Sequence, residues 1–262
     1  MACRRHLAVS RQAACAAAVT VLASVLAVYL PEGASAQEEA SEIPDLAAVW
    51  QRIRVDRIDD ELEQSPRGFG RPREFPLNAR GIAMQEAFDE FLHPMYDCVP
   101  ATIPQIFGDP YNFSIEQPGD RVLIRFEKDD VRRTVWLEGH GHREATANDV
   151  SIQGFSTGRY ENGELVVETT RYAFNPSGIN DRSPMAPSST SKRTIERFSR
   201  EGDVLTVDVI VEDLLMMTES IRFSYRFEPI DTPLVDWIPC DPAQARAPLR
   251  YIPEEDLKYG IR

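Results

Sequence analysis

The chain has 262 residues, a formal net charge of −13 and a sequence pI near 4.8, with 42% hydrophobic and 27% charged residues. That apolar content excludes a disordered, collagenous or multi-span membrane protein. The acidity excludes nucleic acid and anionic lipid surfaces as partners, since each needs a basic face, and 4 cysteines are too few for a disulfide-rich scaffold.

Arg4, Arg5 and Arg11 open the chain, an apolar run follows from Ala13 to Leu30, and Ala34-Ser35-Ala36 closes the segment. A basic start, an apolar stretch and a small-x-small site, in that order, predict a secretory signal over residues 1–36. An uncleaved anchor is the alternative, although the run sits near the lower length limit for spanning. After cleavage no stable membrane insertion is expected, and the location is periplasmic or secreted. The remaining 226 residues carry a charge of −15 and two cysteines, Cys98 and Cys240. In an oxidising compartment these predict one disulfide, with a pair of inert buried thiols as the alternative. In the chain-entropy account such a bond, closing so long a loop, contributes about 4–5 kcal/mol.

Residues 37–97 read as a linker and helical segment. Asp45 is placed to cap a helix carrying Leu46, Val49, Trp50 and Ile53, with a short strand around Val49 and Trp50 as the competing reading. The stretch 63–76, rich in Pro, Gly and Arg, reads as loop. Asn78 precedes a second helix with Met84, Phe88, Phe91 and Leu92 on one stripe, ended by Pro94.

From Cys98 to Cys240 the pattern alternates. Extended runs are expected at 111–116, 122–127, 133–137, 154–160, 165–170, 194–198, 204–211 and 221–227. Asn162-Gly163 and Gly202-Asp203 supply turn chemistry between neighbouring runs. The fold class is therefore mainly β: an antiparallel meander of about eight strands in a lipocalin-like barrel or strongly curved sheet, because closure removes exposed edges. The proline-rich stretch 173–189 interrupts the spacing and reads as a lid over one barrel mouth. Residues 241–262 read as a C-terminal tail.

Several motifs also form a set. Asp45-Leu46 with Trp50, Cys98-Val99-Pro100, Glu138-Gly139-His140-Gly141-His142, Gly154-Phe155-Ser156-Thr157-Gly158-Arg159-Tyr160-Glu161, Leu165-Val166-Val167, Glu196-Arg197-Phe198 and Cys240 span most of the chain after residue 36. Together they resemble a family of exported bacterial β-rich proteins with an Asp-Gly-Arg-x-His motif and a Gly-His-Ser-x-Gly-x-Trp-Glu-Gly-Asp-x-Leu-Val-Val signature. The resemblance implies export and a common fold, and it carries no activity over. The chain departs from the pattern at Phe155, where the family has histidine, and at His140, where it has arginine.

Two functional readings follow. The first is a barrel binding a small apolar or amphipathic molecule, lined by His140, Arg159, Trp136, Phe155, Phe223 and Tyr225. Met216-Met217 either flank its entrance or fill a gap. The second is an acid–base isomerase, hydratase or lyase with His142 as proton carrier, assisted by Tyr160 or Asp213. His140, His142 and Glu138 would share one face of an extended segment, but Gly139 and Gly141 predict a turn there, so no metal and no other cofactor is assigned. Ser156 lies in a Gly-x-Ser-x-Gly match, yet a hairpin rather than a helix follows, so Gly154 and Gly158 are read as a bulge or close backbone approach. Arg159 and Arg197 are expected to face water, with an inward placement pairing Glu168 as the minority reading.

Overall fold

The computed structural model describes residues 43–53, 75–140, 144–181 and 185–251. The expected signal segment, most of the loop at 63–76 and His142 lie outside the described residues.

Each expected extended run is a strand: β2 (Phe113–Glu116), β3 (Arg121–Phe126), β4 (Arg132–Leu137), β5 (Phe155–Glu161), β6 (Glu164–Thr170), β9 (Arg193–Glu201), β10 (Val204–Glu212) and β11 (Ile221–Ile230). A ninth, β1 (Ala48–Arg52), replaces the helix expected after Asp45. Its spacing suits either conformation, and the tertiary structure decides. Trp50 pairs with Pro229 of β11 on one side and Phe113 of β2 on the other. Its indole donates to the Leu46 carbonyl at 3.0 Å. Only an extended segment can hydrogen-bond both neighbours and complete the circuit. The barrel therefore begins at residue 48, well before Cys98.

The strands close in the order β1-β11-β10-β9-β6-β5-β4-β3-β2. Eight neighbour pairs are antiparallel and one, β4–β5, is parallel. This corrects the expected pure meander, and the reason is parity. Each antiparallel neighbour reverses direction, so an odd number of strands returns to its start only if an odd number of pairs, here one, does not reverse. A parallel pair needs a long crossover, and residues 138–154 provide it. Gly158 allows the tight approach at this junction. A Cβ there would lie 2.7 Å from Val135 Cγ1. Gly154 has φ +69, and a Cβ on it would lie 2.5 Å from the Thr170 carbonyl. The Gly-x-Ser-x-Gly match is thus a packing device.

Alternate residues point inward: Val122, Ile124 and Phe126 on β3, Leu205, Val207, Val209 and Val211 on β10, and Phe223, Tyr225 and Phe227 on β11, all buried. The short helix α2 (Gln105–Gly108) is buried at all four residues. It places the Phe107 ring in the lumen, with centroids 5.3–6.3 Å from Phe113, Phe126, Phe198, Tyr225 and Phe227. The lumen is filled by this aromatic cluster.

The end of the barrel where β2 begins and β3 finishes carries a cap. The stretch 173–189, expected as a lid, forms a two-stranded hairpin, β7 (Asn175–Asn180) and β8 (Ala186–Ser188). Ile179 and Ala186 lie in its buried side. Helix α1 (Ala79–Glu86) packs beside it, capped by Asn78, whose side chain accepts from the Arg80 and Gly81 amides. The stripe expected beyond α1 breaks into 3₁₀ turns and leaves Leu92 58% exposed. Met216 and Met217 are buried beneath α1, where the Asn78 amide donates to the Met216 carbonyl. Cys98 and Cys240 form a disulfide that ties the short helix α3 (Pro242–Ala245) region to the cap. Among the described residues no helix is long and apolar enough to cross a membrane.

Phe107→Ala is expected to lower stability by about 3–5 kcal/mol, the range for removing a buried phenylalanine. Urea unfolding checks this, and a loss below about 1 kcal/mol would mean the lumen does not depend on the plug.

Candidate functional site

The alternation that builds the core also turns charged groups inward. Arg133 shares the inner face of β4 with Val135 and Leu137, and Glu196 shares that of β9 with Thr194 and Phe198. Their side chains are 2% and 0% exposed. Arg133 Nη1 and Nη2 donate to the two Glu196 oxygens at 2.5 and 2.9 Å, a bidentate pair. Arg133 also donates from Nε to Ser156 Oγ at 2.9 Å and from Nη2 to Thr169 Oγ1 at 2.5 Å. The hydroxyls of Thr169 and Thr194 donate to Glu196 Oε1 at 3.2 and 2.9 Å. Once those protons are placed, Ser156 donates to Thr169 and the Tyr172 phenol donates to Thr194, at 3.0 and 2.8 Å. Glu196 thus accepts four hydrogen bonds as a carboxylate. Burial and the nearby Glu196 charge push the Tyr172 phenol up, away from ionising. These groups hold one another, so the network is structural.

Beside it lies Lys192, fully buried under the cap. Its Nζ donates to the carbonyls of Ile103 and Gly178 at 2.9 and 3.2 Å and to Thr102 Oγ1 at 3.3 Å. It sits 3.9 Å from the Tyr172 ring centroid. Burial pulls the ammonium down to about 7, against the opposing pull of Asp213 and Glu196. Asp213 accepts from the Ser189 amide and hydroxyl at 2.5 and 2.7 Å.

An open site lies above this layer. A cavity of about 520 Å³ sits in the cap, between the segment around the Cys98–Cys240 disulfide, the β3–β4 turn and the β7 hairpin. Val99, Pro100, Ala101 and Trp237 give it apolar wall, while Gln105, Asp109, Lys128 and Asp129 add polar groups. Gln105 is 1% exposed. Its Nε2 donates to the Ile179 carbonyl and Asn180 Oδ1, and its Oε1 has no hydrogen-bond partner. Lys128 pairs with Asp109 at 2.8 Å. Asp129 has φ +59, accepts from the Trp237 indole, and is pushed up by burial and the nearby Asp109 charge. His93 lines the same cavity. Its Nδ1 accepts from the Met95 amide and its Nε2 donates to the Asp181 carbonyl.

The residues singled out from sequence do not converge. Phe223 and Tyr225 are core, their rings parallel within 5° at 6.4 Å. Trp136 and Phe155 share a groove on the outer face at the β4–β5 junction, of about 570 Å³. Arg159 faces outward and pairs with Glu161 at 2.8 Å. Arg197 pairs outside with Glu164, and Glu168 with Arg193. His140 is exposed on the turn after β4. Tyr160, whose hydroxyl accepts from Gln117 at 2.9 Å, lies toward the end away from the cap. Asp213 lies at the cap end. The register partner of Tyr160 pairs with Phe198, while Asp213 follows the partner of Arg193. About six residues of strand, roughly 20 Å, separate the two levels. Tyr160 and Asp213 therefore cannot serve one proton carrier, and His142 lies outside the described residues. The cavity-wall residues Gln105, Asp129 and Trp237 carried no pattern in the sequence. Arg133 and Glu196 did: each interrupts an apolar alternation in phase with its buried neighbours.

No protein-family model, no curated protein and no solved structure matches the chain.

Arg133→Met leaves the Glu196 carboxylate buried and unpaired, at an expected cost of about 3–5 kcal/mol. Arg133→Met with Glu196→Met recovers part of that loss, and urea unfolding of both variants checks it. An equal loss in the two would show that the ion pair is not the coupled unit. Lys192 adds a pH dependence. The folded state releases its proton above about pH 7, while the unfolded chain holds it to about 10.4. The unfolded state binds more protons in that window, so stability rises with pH from 7 toward 10. Lys192→Met flattens this slope in unfolding experiments run across the window, and an unchanged slope would assign it to other groups.

Proposed function

We propose that this protein is an exported β-barrel that binds one small, mainly apolar molecule in the cap cavity rather than in the lumen. The observation that carries the reading is the cavity itself. Its volume of about 520 Å³ falls in the range of small-molecule sites, about 300–1,000 Å³, and it combines apolar walls with a few polar groups, as such sites do. The lumen, filled by Phe107 and its aromatic neighbours, leaves no comparable place there. The disulfide supports export, since such bonds persist in oxidising compartments, and the sequence of residues 1–36 agrees with it. The strand pattern and the Cys98–Cys240 bond fit the exported β-rich family that the motifs resemble. No observation favours the acid–base reading.

Native mass spectrometry of protein purified from its own host is expected to show a bound small molecule. Ala245→Trp, which fills the cavity from the half-buried last residue of the exposed helix α3, is expected to remove that mass and leave the melting temperature within a few degrees. An empty native protein that binds no lipid or terpenoid from a panel would sink the proposal, as would undiminished binding by the variant.

A further inference from the structure

The cavity wall carries a charge pattern that narrows the ligand class. Its cation, Lys128, is engaged with Asp109 at 2.8 Å and lies 5.9 Å from the Tyr111 ring. Asp129 follows it in the same turn and forms no ion pair among the described residues. Asp129 feels the Lys128 charge and accepts from the Trp237 indole, whose ring packs edge-on against Tyr111 with centroids 5.1 Å apart. Asp181 adds a further carboxylate to the wall. Independently, Gln105 offers a buried oxygen that no protein group satisfies. An unpaired buried acceptor is costly, and a ligand donor would relieve it. Carboxylates at Asp109, Asp129 and Asp181 thus outnumber the one lysine in a wall that also carries Trp237 and prolines.

Resting on the ligand-binding reading, we infer that the cap cavity takes an amphipathic primary or secondary ammonium compound, its nitrogen toward Asp129 and Gln105 and its apolar body against Trp237, Val99 and Pro100. The chemistry is specific on three counts. A carboxylate bound to a charged donor forms a hydrogen bond about twice as strong as a neutral one. Trp237, Val99 and Pro100 offer apolar surface to the hydrocarbon body. The amide oxygen of Gln105 accepts from an N–H or O–H donor, and a quaternary ammonium has neither. A carboxylate ligand would instead meet like charge at Asp129.

The test is titration of the full chain, freed of residues 1–36, following Trp237 fluorescence and calorimetric heat. The probes are butylammonium, octylammonium and 2-phenylethylammonium, with the matching alcohols and phenylacetate. At least one ammonium ion is expected to bind about tenfold more tightly than its alcohol, with weakening at high salt and no response to phenylacetate. Asp129→Asn keeps the left-handed turn, since asparagine tolerates positive φ. It is expected to lower ammonium affinity about tenfold while leaving the alcohol unchanged. Equal binding of alcohol and ammonium, or an unaffected Asp129→Asn, overturns the charge assignment and leaves the cavity as a ligand site. Silence from every probe, together with an empty native mass spectrum, overturns both.

Discussion

Nine strands in a closed ring impose one constraint on everything else: the number of parallel neighbour pairs must be odd, and here it is one. That pair is β4–β5, and its ladder is short, with Val135, Trp136 and Leu137 facing Ser156, Thr157 and Gly158. Parallel pairing is slightly weaker per residue than antiparallel. The buried network lies across this junction. Arg133 stands on β4, Ser156 on β5, Thr169 on β6, and Thr194 and Glu196 on β9, four strands adjacent in the ring. One guanidinium ties all four together, each of its three nitrogens donating at least one hydrogen bond. A buried ion pair rarely adds much net stability. Its value here is geometric, because a register slip of either strand would strand a charge in an apolar core.

The same constraint shapes the cap. A parallel pair requires the chain to return from one end of the barrel to the other between Leu137 and Phe155, and residues 144–154 end that return at the cap. The returning loop then anchors the cap. Thr102 donates to the Ile152 carbonyl at 2.7 Å and Gln153 to the Ala101 carbonyl at 2.8 Å. From that anchored segment α2 descends into the lumen with Phe107, and Lys192 fastens it by its bonds to Thr102 and Ile103. The lumen is thereby closed to ligands, and the open volume lies outside the plug, under the disulfide. The fold does not by itself assign an activity.

The sequence was legible where period and burial agree. Eight strands could be read from period-two alternation, and the disulfide from the cysteine count after residue 36. Strand β1 was ambiguous because Leu46, Val49, Trp50 and Ile53 fit both helix and strand, and only pairing with β2 and β11 resolves it. The parallel junction was invisible, since parity is a property of the closed ring and not of any segment. Arg133 and Glu196 were visible but easily assigned to the solvent face, where most strand charges belong. Trp136, Phe155, Phe223 and Tyr225 were readable as aromatic supply. Their division between outer groove and packed core depends on strand phase within the barrel.

The site was least legible of all. Gln105, Asp129 and Trp237 come from a four-residue helix, a tight turn and an irregular C-terminal stretch, none of which carries a periodic signal. The sequence by itself determined an acidic, mainly β chain with one available cysteine pair, because composition and alternation are local quantities. Only the tertiary structure decided that the barrel has nine strands, that an inserted phenylalanine fills it, and that the cavity opens in the cap. Those outcomes depend on ring closure and on packing between residues as far apart in the chain as Asp129 and Trp237.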